Sequence, residues 1–69
     1  MNNTMMTLEI QLRRLCDGRW RVATSVGGHN WSMVGVTFPT LTDAREVASA
    51  IANGADVDRT EITEIGSES

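Results

Sequence analysis

The stretch LEIQLRRLCDGRWRVATSV, residues 8–26, decides the fold. Leu8, Ile10 and Leu12 alternate with Glu9, Gln11 and Arg13, and Trp20, Val22, Thr24 and Val26 alternate with Arg21, Ala23 and Ser25. Both runs have the two-residue period of a half-buried strand. Met6 shares the parity of the first run. Between the strands Cys16-Asp17-Gly18 is a hairpin turn signal. A two-residue Asp-Gly turn would set Leu12 opposite Ala23 and Ile10 opposite Ser25, splitting the apolar face. A three-residue loop over Cys16-Asp17-Gly18, a type I turn with Gly18 left-handed, sets Leu12 opposite Val22, Ile10 opposite Thr24 and Leu8 opposite Val26. A one-residue slip turns every side chain to the other face, so the need for one apolar face selects the three-residue loop.

Working outward, Gly27-Gly28-His29-Asn30 reads as the next turn and about Trp31 to Phe38 as a third strand. Val34, Val36 and Phe38 fall on one face, Trp31 and Met33 on the other, and Gly35 is a candidate bulge. Pro39 ends the strand. Thr40-Leu41-Thr42-Asp43 opens a helix, with Thr40/Asp43 or Asp43/Glu46 resembling a capping box. Leu41, Ala44, Val47, Ala48 and Ile51 form one helical stripe, the small Ala44 and Ala48 allow a close approach to the sheet, and Asn53-Gly54 is a stop. In the tail, Thr60, Ile62 and Thr63 favour a strand from about 58 to 65. Val57, Glu61, Ile62 and Ile65 also fit a helical stripe with Asp58 and Glu61 as its cap. The expected fold is α+β: a three- to four-stranded antiparallel meander with one helix on one face, in the order β-β-β-α-β. The expected domain spans residues 6–65, between a disordered N-terminus (1–5) and a frayed C-terminus (66–69).

At 69 residues the chain holds one domain with a small core. One cysteine, Cys16, and one histidine, His29, allow neither an internal disulfide nor a four-ligand Cys/His zinc site within one chain. Missing that reinforcement, the chain needs tight packing, a partner or a second copy of itself, so a homodimer is one expectation. The single cysteine points to a cytoplasmic location. Residues 1–6 lack the basic and apolar regions of a signal peptide, and no apolar run approaches the roughly 18 residues of a membrane span.

The net charge is −3, and it is segregated. Residues 1–41 carry Arg13, Arg14, Arg19 and Arg21 against Glu9 and Asp17, a balance of +2. Residues 42–69 carry Arg45 and Arg59 against seven acids, a balance of −5. Such asymmetry suggests where partners of each sign would sit.

Several chemistries find no support in the sequence. Cys16 and His29 would suit a nucleophile and its base, but they fall at opposite ends of the second strand, on the order of 30 Å apart. Gly27-Gly28 feeds a strand, whereas a phosphate cradle feeds a helix. Asp56, Asp58 and Glu61 lack the spacing of an EF-hand loop. No carboxylate pair is placed for acid–base work. The chain is read as a non-enzyme without cofactor or metal.

The arginines carry more information. The selected register sets Arg13 directly opposite Arg21, and Arg19 joins the same open face. Like charges opposed across strands are destabilising, so an anion is expected nearby: the protein's own acidic tail, a carboxylate-rich partner or phosphate. Trp20 belongs to the core by parity, and Trp31 is the candidate exposed anchor, since tryptophan and arginine are enriched at binding hot spots. A second candidate surface is the acidic set Asp43, Glu46, Asp58 and Glu61, which with Asp56 and Glu64 could mimic phosphates toward a basic groove.

Over residues 8–54, the β-β-β-α layout, with Trp20 in strand two and Phe38-Pro39-Thr40 leading to Asp43-Ala44, resembles small bacterial domains of unknown function. The size and acidity are similar to those of small phage-encoded inhibitors such as anti-CRISPR proteins, a resemblance of composition that implies blockade of a larger nucleic-acid-processing protein. The expected function is therefore a protein-binding module, an inhibitor, using Arg13, Arg19, Arg21 and Trp31 or the acidic set. The alternatives are nucleic-acid binding by the arginine face, which the negative net charge disfavours, and a homo-oligomeric protein of unknown role.

Overall fold

The computed structural model describes residues 6–66. The expected loose N-terminus, and the expected frayed end apart from Gly66, lie outside the described residues. Four strands and a helix follow in the order β1 (Thr7–Arg14), β2 (Trp20–Val26), β3 (His29–Phe38), α1 (Leu41–Gly54) and β4 (Arg59–Ile65). The strands form one sheet with the order β3-β2-β1-β4.

The first hairpin has the expected register. Leu8 pairs with Val26, Ile10 with Thr24 and Leu12 with Val22. Gly18 N–H donates to Leu15 O at 2.9 Å, Leu15 N–H donates to Arg19 O at 2.7 Å, and Gly18 takes φ +88. This is a type I turn closed by a left-handed glycine, a conformation that costs glycine no steric strain.

The second turn is shorter than the sequence suggested. Gly27 and Gly28 alone make it, at φ +76 and +79, so β3 begins at His29 rather than near Trp31. Two successive positive φ values are the signature of a two-residue type I′ hairpin. Asn30, at φ +56, then bulges β3 beside the turn. A second irregularity falls around Gly35. Arg21 pairs with Thr37 and Ala23 with Met33, so three residues, Val34 to Val36, lie against Val22 alone. Val34 and Phe38 still pack on the core, but Val36, expected beside them, is 58% exposed.

The helix opens as expected at Thr40, whose Oγ1 accepts the N–H of Asp43 at 3.2 Å. It runs through Gly54, which adopts no left-handed conformation, and ends at an extended Ala55 whose N–H donates to Ala52 O at 3.3 Å. Ala44 and Ala48 are fully buried against Leu8, Ile10, Leu12 and Val22. Trp20, Val34, Phe38, Leu41, Ile51, Ala52, Ala55 and Val57 close around them.

The last element is a strand, as the β-branched residues suggested, but the sheet is mixed and not an antiparallel meander. β4 pairs parallel with β1, from Thr7–Arg59 to Arg13–Ile65. The reason is directional. β1 and β3 run the same way, α1 carries the chain back across the face, and the next strand must again run with β1. Parallel neighbours require such a crossover. Met6 clips the entry of β4 to the start of β1: its carbonyl accepts the N–H groups of Asp58 and Arg59 at 3.0 and 3.3 Å, and its own N–H reaches Asp58 Oδ2 at 2.9 Å.

Burial decides which substitutions the fold feels. In equilibrium chemical denaturation, Leu12→Ala, at a fully buried site, is expected to cost about 2–5 kcal/mol. Val36→Ala, on the bulge, should change stability by no more than about 0.5 kcal/mol. A large loss at Val36 would contradict its exclusion from the core.

The arginine end of the open sheet face

The helix covers one face of the sheet and leaves the other open. Since Leu8, Ile10 and Leu12 face α1, their alternates Glu9, Gln11 and Arg13 point to the open face, together with Arg21, Ala23 and Ser25 of β2. Met33, paired with Ala23, and Thr37, paired with Arg21, extend it across β3. Trp31 shares the parity of Met33 and is half-buried, but it lies against Ser25, level with Glu9, so the expected anchor stands at the end of the open face away from the arginines. Arg59, Glu61, Thr63 and Ile65 extend it across β4.

Arg13 and Arg21 are direct cross-strand partners, as the register required. Arg13 Nε donates to Gln11 Oε1 at 2.9 Å, and Arg21 Nη1 lies 3.7 Å from Met33 Sδ. Arg21 Nε is buried and makes no hydrogen bond. Arg19, just before β2, crosses to the end of β3: its Nε donates to Thr37 Oγ1 at 2.6 Å and its Nη2 to the Thr37 carbonyl at 3.1 Å. Three guanidinium groups thus gather at one end of the open face, held by an amide, a thioether, a hydroxyl and a carbonyl.

The acidic tail does not neutralise them. β4 does lie along β1, but its register sets Ile65 beside Arg13 and Glu61 beside Glu9, at the other end. Glu64 faces the helix side, where its Oε2 receives Arg45 Nε at 2.8 Å and Nη2 at 2.5 Å. Glu61 receives Arg59 at 3.3 Å. Among the described residues these two are the ion pairs, and neither includes Arg13, Arg19 or Arg21.

The acids expected to act together fall on different elements. Asp43 and Glu46 lie on α1, over one face, and Glu61 lies on the opposite, open face. Asp58 is engaged by the Met6 N–H. Cys16 is exposed in the first turn, at the far end of β2 from the residue that opens β3, His29. A shallow depression of about 440 Å³, lined by Thr24, Ser25, Val26, Asn30 and Ser32, lies toward the second turn and contains none of the expected site residues. No group of three or more His, Cys, Asp or Glu residues among those described could hold a metal ion. No helix among the described residues is long and apolar enough to cross a membrane.

Met33 and Thr37 belong to this surface and escaped the sequence reading. Placing them needs the β2–β3 register, which the two irregularities hide. No family model matches the chain, and neither the curated proteins nor the solved structures include a significant match.

The opposed arginines should leave a salt signature. Like-charge pairs on facing strands cost roughly 0.2–1 kcal/mol, and exposed charges are screened by salt. Relative to the native chain, Arg13→Gln should therefore raise the thermal midpoint at low ionic strength, and the gain should shrink as salt is added. An advantage independent of salt would show that repulsion is not its source.

Proposed function

We propose that this chain is a non-enzymatic interaction module that docks the arginine end of its open sheet face onto a carboxylate-rich segment of a larger protein, in the manner of a small inhibitor. The observation that carries the reading is the Arg13–Arg21 pair: two guanidinium groups opposed on adjacent strands, with no carboxylate of the described chain bound to either and one buried nitrogen unbonded. A carboxylate seated between them would turn a repulsion into two charge-assisted hydrogen bonds, the stronger class of such bonds. Arg19 holds the rim and Met33 supplies apolar contact beside Arg21, while Trp31 lies further along the open face, against Ser25 and level with Glu9. Arginine and methionine side by side are both enriched at protein interfaces. A protein partner is favoured over nucleic acid by the net charge of −3 and by Glu9 and Glu61, which share the open face.

The test is affinity capture from nuclease-treated lysate of the source cell with the native chain, Arg21→Glu and Arg45→Glu. The native chain and Arg45→Glu, altered on the helix side, should retain one stoichiometric protein. Arg21→Glu should lose it while keeping the native circular dichroism. Retention by Arg21→Glu removes the arginine face from the interface. Recovery of nucleic acid when nuclease is omitted, with affinity falling steeply as salt rises, would replace the protein partner with a polyanion.

A further inference from the structure

The two edges of the sheet are built differently. β3 is irregular along its length: its pairing shifts twice, Asn30 is left-handed, Gly35 sits in the second irregularity and Pro39 follows directly. Bulges and proline are devices that stop an edge strand from pairing with another chain. β4 has none of them. Its seven residues, Arg59 to Ile65, pair with β1 without a shift and include no proline, glycine or lysine. Four of the seven, Thr60, Ile62, Thr63 and Ile65, are β-branched, the class that favours strands. Its outer backbone edge is unpaired, because β4 ends the sheet. On the helix side, α1 packs over β1, β2 and β3 and reaches β4 through Arg45 and Glu64, leaving Ile62 47% exposed.

We infer that the outer edge of β4 pairs antiparallel with β4 of a second copy of this chain, about a two-fold axis through Ile62, to make one continuous sheet of eight strands from the two sets of four. The sequence of β4 is self-complementary in that register. Arg59 faces Ile65 of the other copy, Thr60 faces Glu64, Glu61 faces Thr63, and Ile62 faces its own equivalent, so all seven residues pair and no like charges stand directly opposite. The diagonal neighbours Glu61 and its equivalent each keep their own Arg59 at 3.3 Å. The adjacent symmetric registers are worse. Centring on Glu61 sets that carboxylate against its own copy. Centring on Thr63 faces Ile62 with Glu64, the carboxylate that holds Arg45, and pairs five residues of the seven. In the Ile62 register the two exposed isoleucines cover each other in the valley between the two helices. The occupant is thus a second copy because the edge matches itself in length, charge and apolar placement.

The test is sedimentation equilibrium of the full chain over a range of concentrations, with Ile62→Lys and a pair of cysteine variants built on Cys16→Ser. The native chain should pass from monomer to dimer as concentration rises, and Ile62→Lys, with unchanged circular dichroism, should remain monomeric where the native chain is dimeric. Cys16→Ser/Ile62→Cys should form a disulfide-linked dimer under mild oxidation, since the axis brings the two Cα atoms within the roughly 7 Å limit of a disulfide. Cys16→Ser/Glu64→Cys should not, because its two sites lie four residues out of register, about 13 Å along the strands. A native chain that stays monomeric throughout overturns the inference. So does a dimer that cross-links through position 64 as readily as through 62, a readout that holds even if Ile62→Lys does not fold. Arg21→Glu lies away from this edge and should dimerise normally, so failure of the docking surface and failure of the dimer are separable.

Discussion

Gly18 sits at φ +88, in a region that costs an L-residue roughly 1–2 kcal/mol, and the facing of the whole sheet follows from that turn. A three-residue loop there sets Leu12 against Val22 and Ile10 against Thr24. Those pairs put one apolar face on β1 and β2, and the helix covers it with Ala44 and Ala48, residues small enough to bring its backbone close. With one residue fewer in the loop, the apolar faces of the two strands would point to opposite sides of the sheet, and a single helix could not cover both. β1 is also the strand onto which β4 docks, so its facing passes to the other edge: Ile62 takes the side of Ile10, and Glu61 the side of Glu9.

The same register imposes the Arg13–Arg21 opposition. Pairing is continuous along the hairpin, so Leu12 cannot face Val22 unless Arg13 faces Arg21. The fold itself requires only that position 13 be polar, since its side chain points away from the helix; a glutamine would leave every core contact unchanged. The guanidinium groups are thus a cost that folding does not demand. That cost is larger than the count of charges suggests, because the nearby strand that carries acids presents them elsewhere: Glu61 four residues' length away beside Glu9, and Glu64 through to the helix side. A surface that holds uncompensated charge at one end and acids at the other is oriented, and an acidic ligand can approach it in one sense only.

How much of this was legible depended on which signals are local. The β1–β2 register was readable because turn chemistry and two apolar stripes agree on one count. The Thr40 cap and the Ala44/Ala48 face were readable for the same reason: hydroxyl, spacing and size lie within a few residues of one another. Two things were not. The bulges in β3 come from backbone conformations at Asn30 and around Gly35 that leave only a weak trace in residue identity, so strand parity alone sets Val36 on the face of Val34 and Phe38, where the irregularity cancels it, and does not bring Met33 and Thr37 beside the arginines. The direction of β4 is not a property of its own residues at all. Alternation and β-branching look alike in parallel and antiparallel strands, and the parallel sense follows from the helix acting as a crossover. Reading that strand as a meander partner left open whether its acids met the arginines, and only the register with β1 resolved that they do not.

The open face and the β4 edge are geometrically linked. An antiparallel two-fold at Ile62 is perpendicular to the sheet, so both open faces lie on the same side of the joined sheet and both helices on the other. Each Arg13 sits on the strand next to its own β4, level with Ile65. The two Arg13 sites are therefore three strand spacings apart laterally and six residues apart along the strands, a separation of about 25 Å. On the proposed function and dimer, a single acidic peptide would occupy one site. Two acidic segments of one partner, or of a two-fold symmetric partner, would occupy both, and the second contact would then form at the high effective concentration set by the first. Two weak arginine sites on a small module would become a strong one by this route without any increase in the area that either buries.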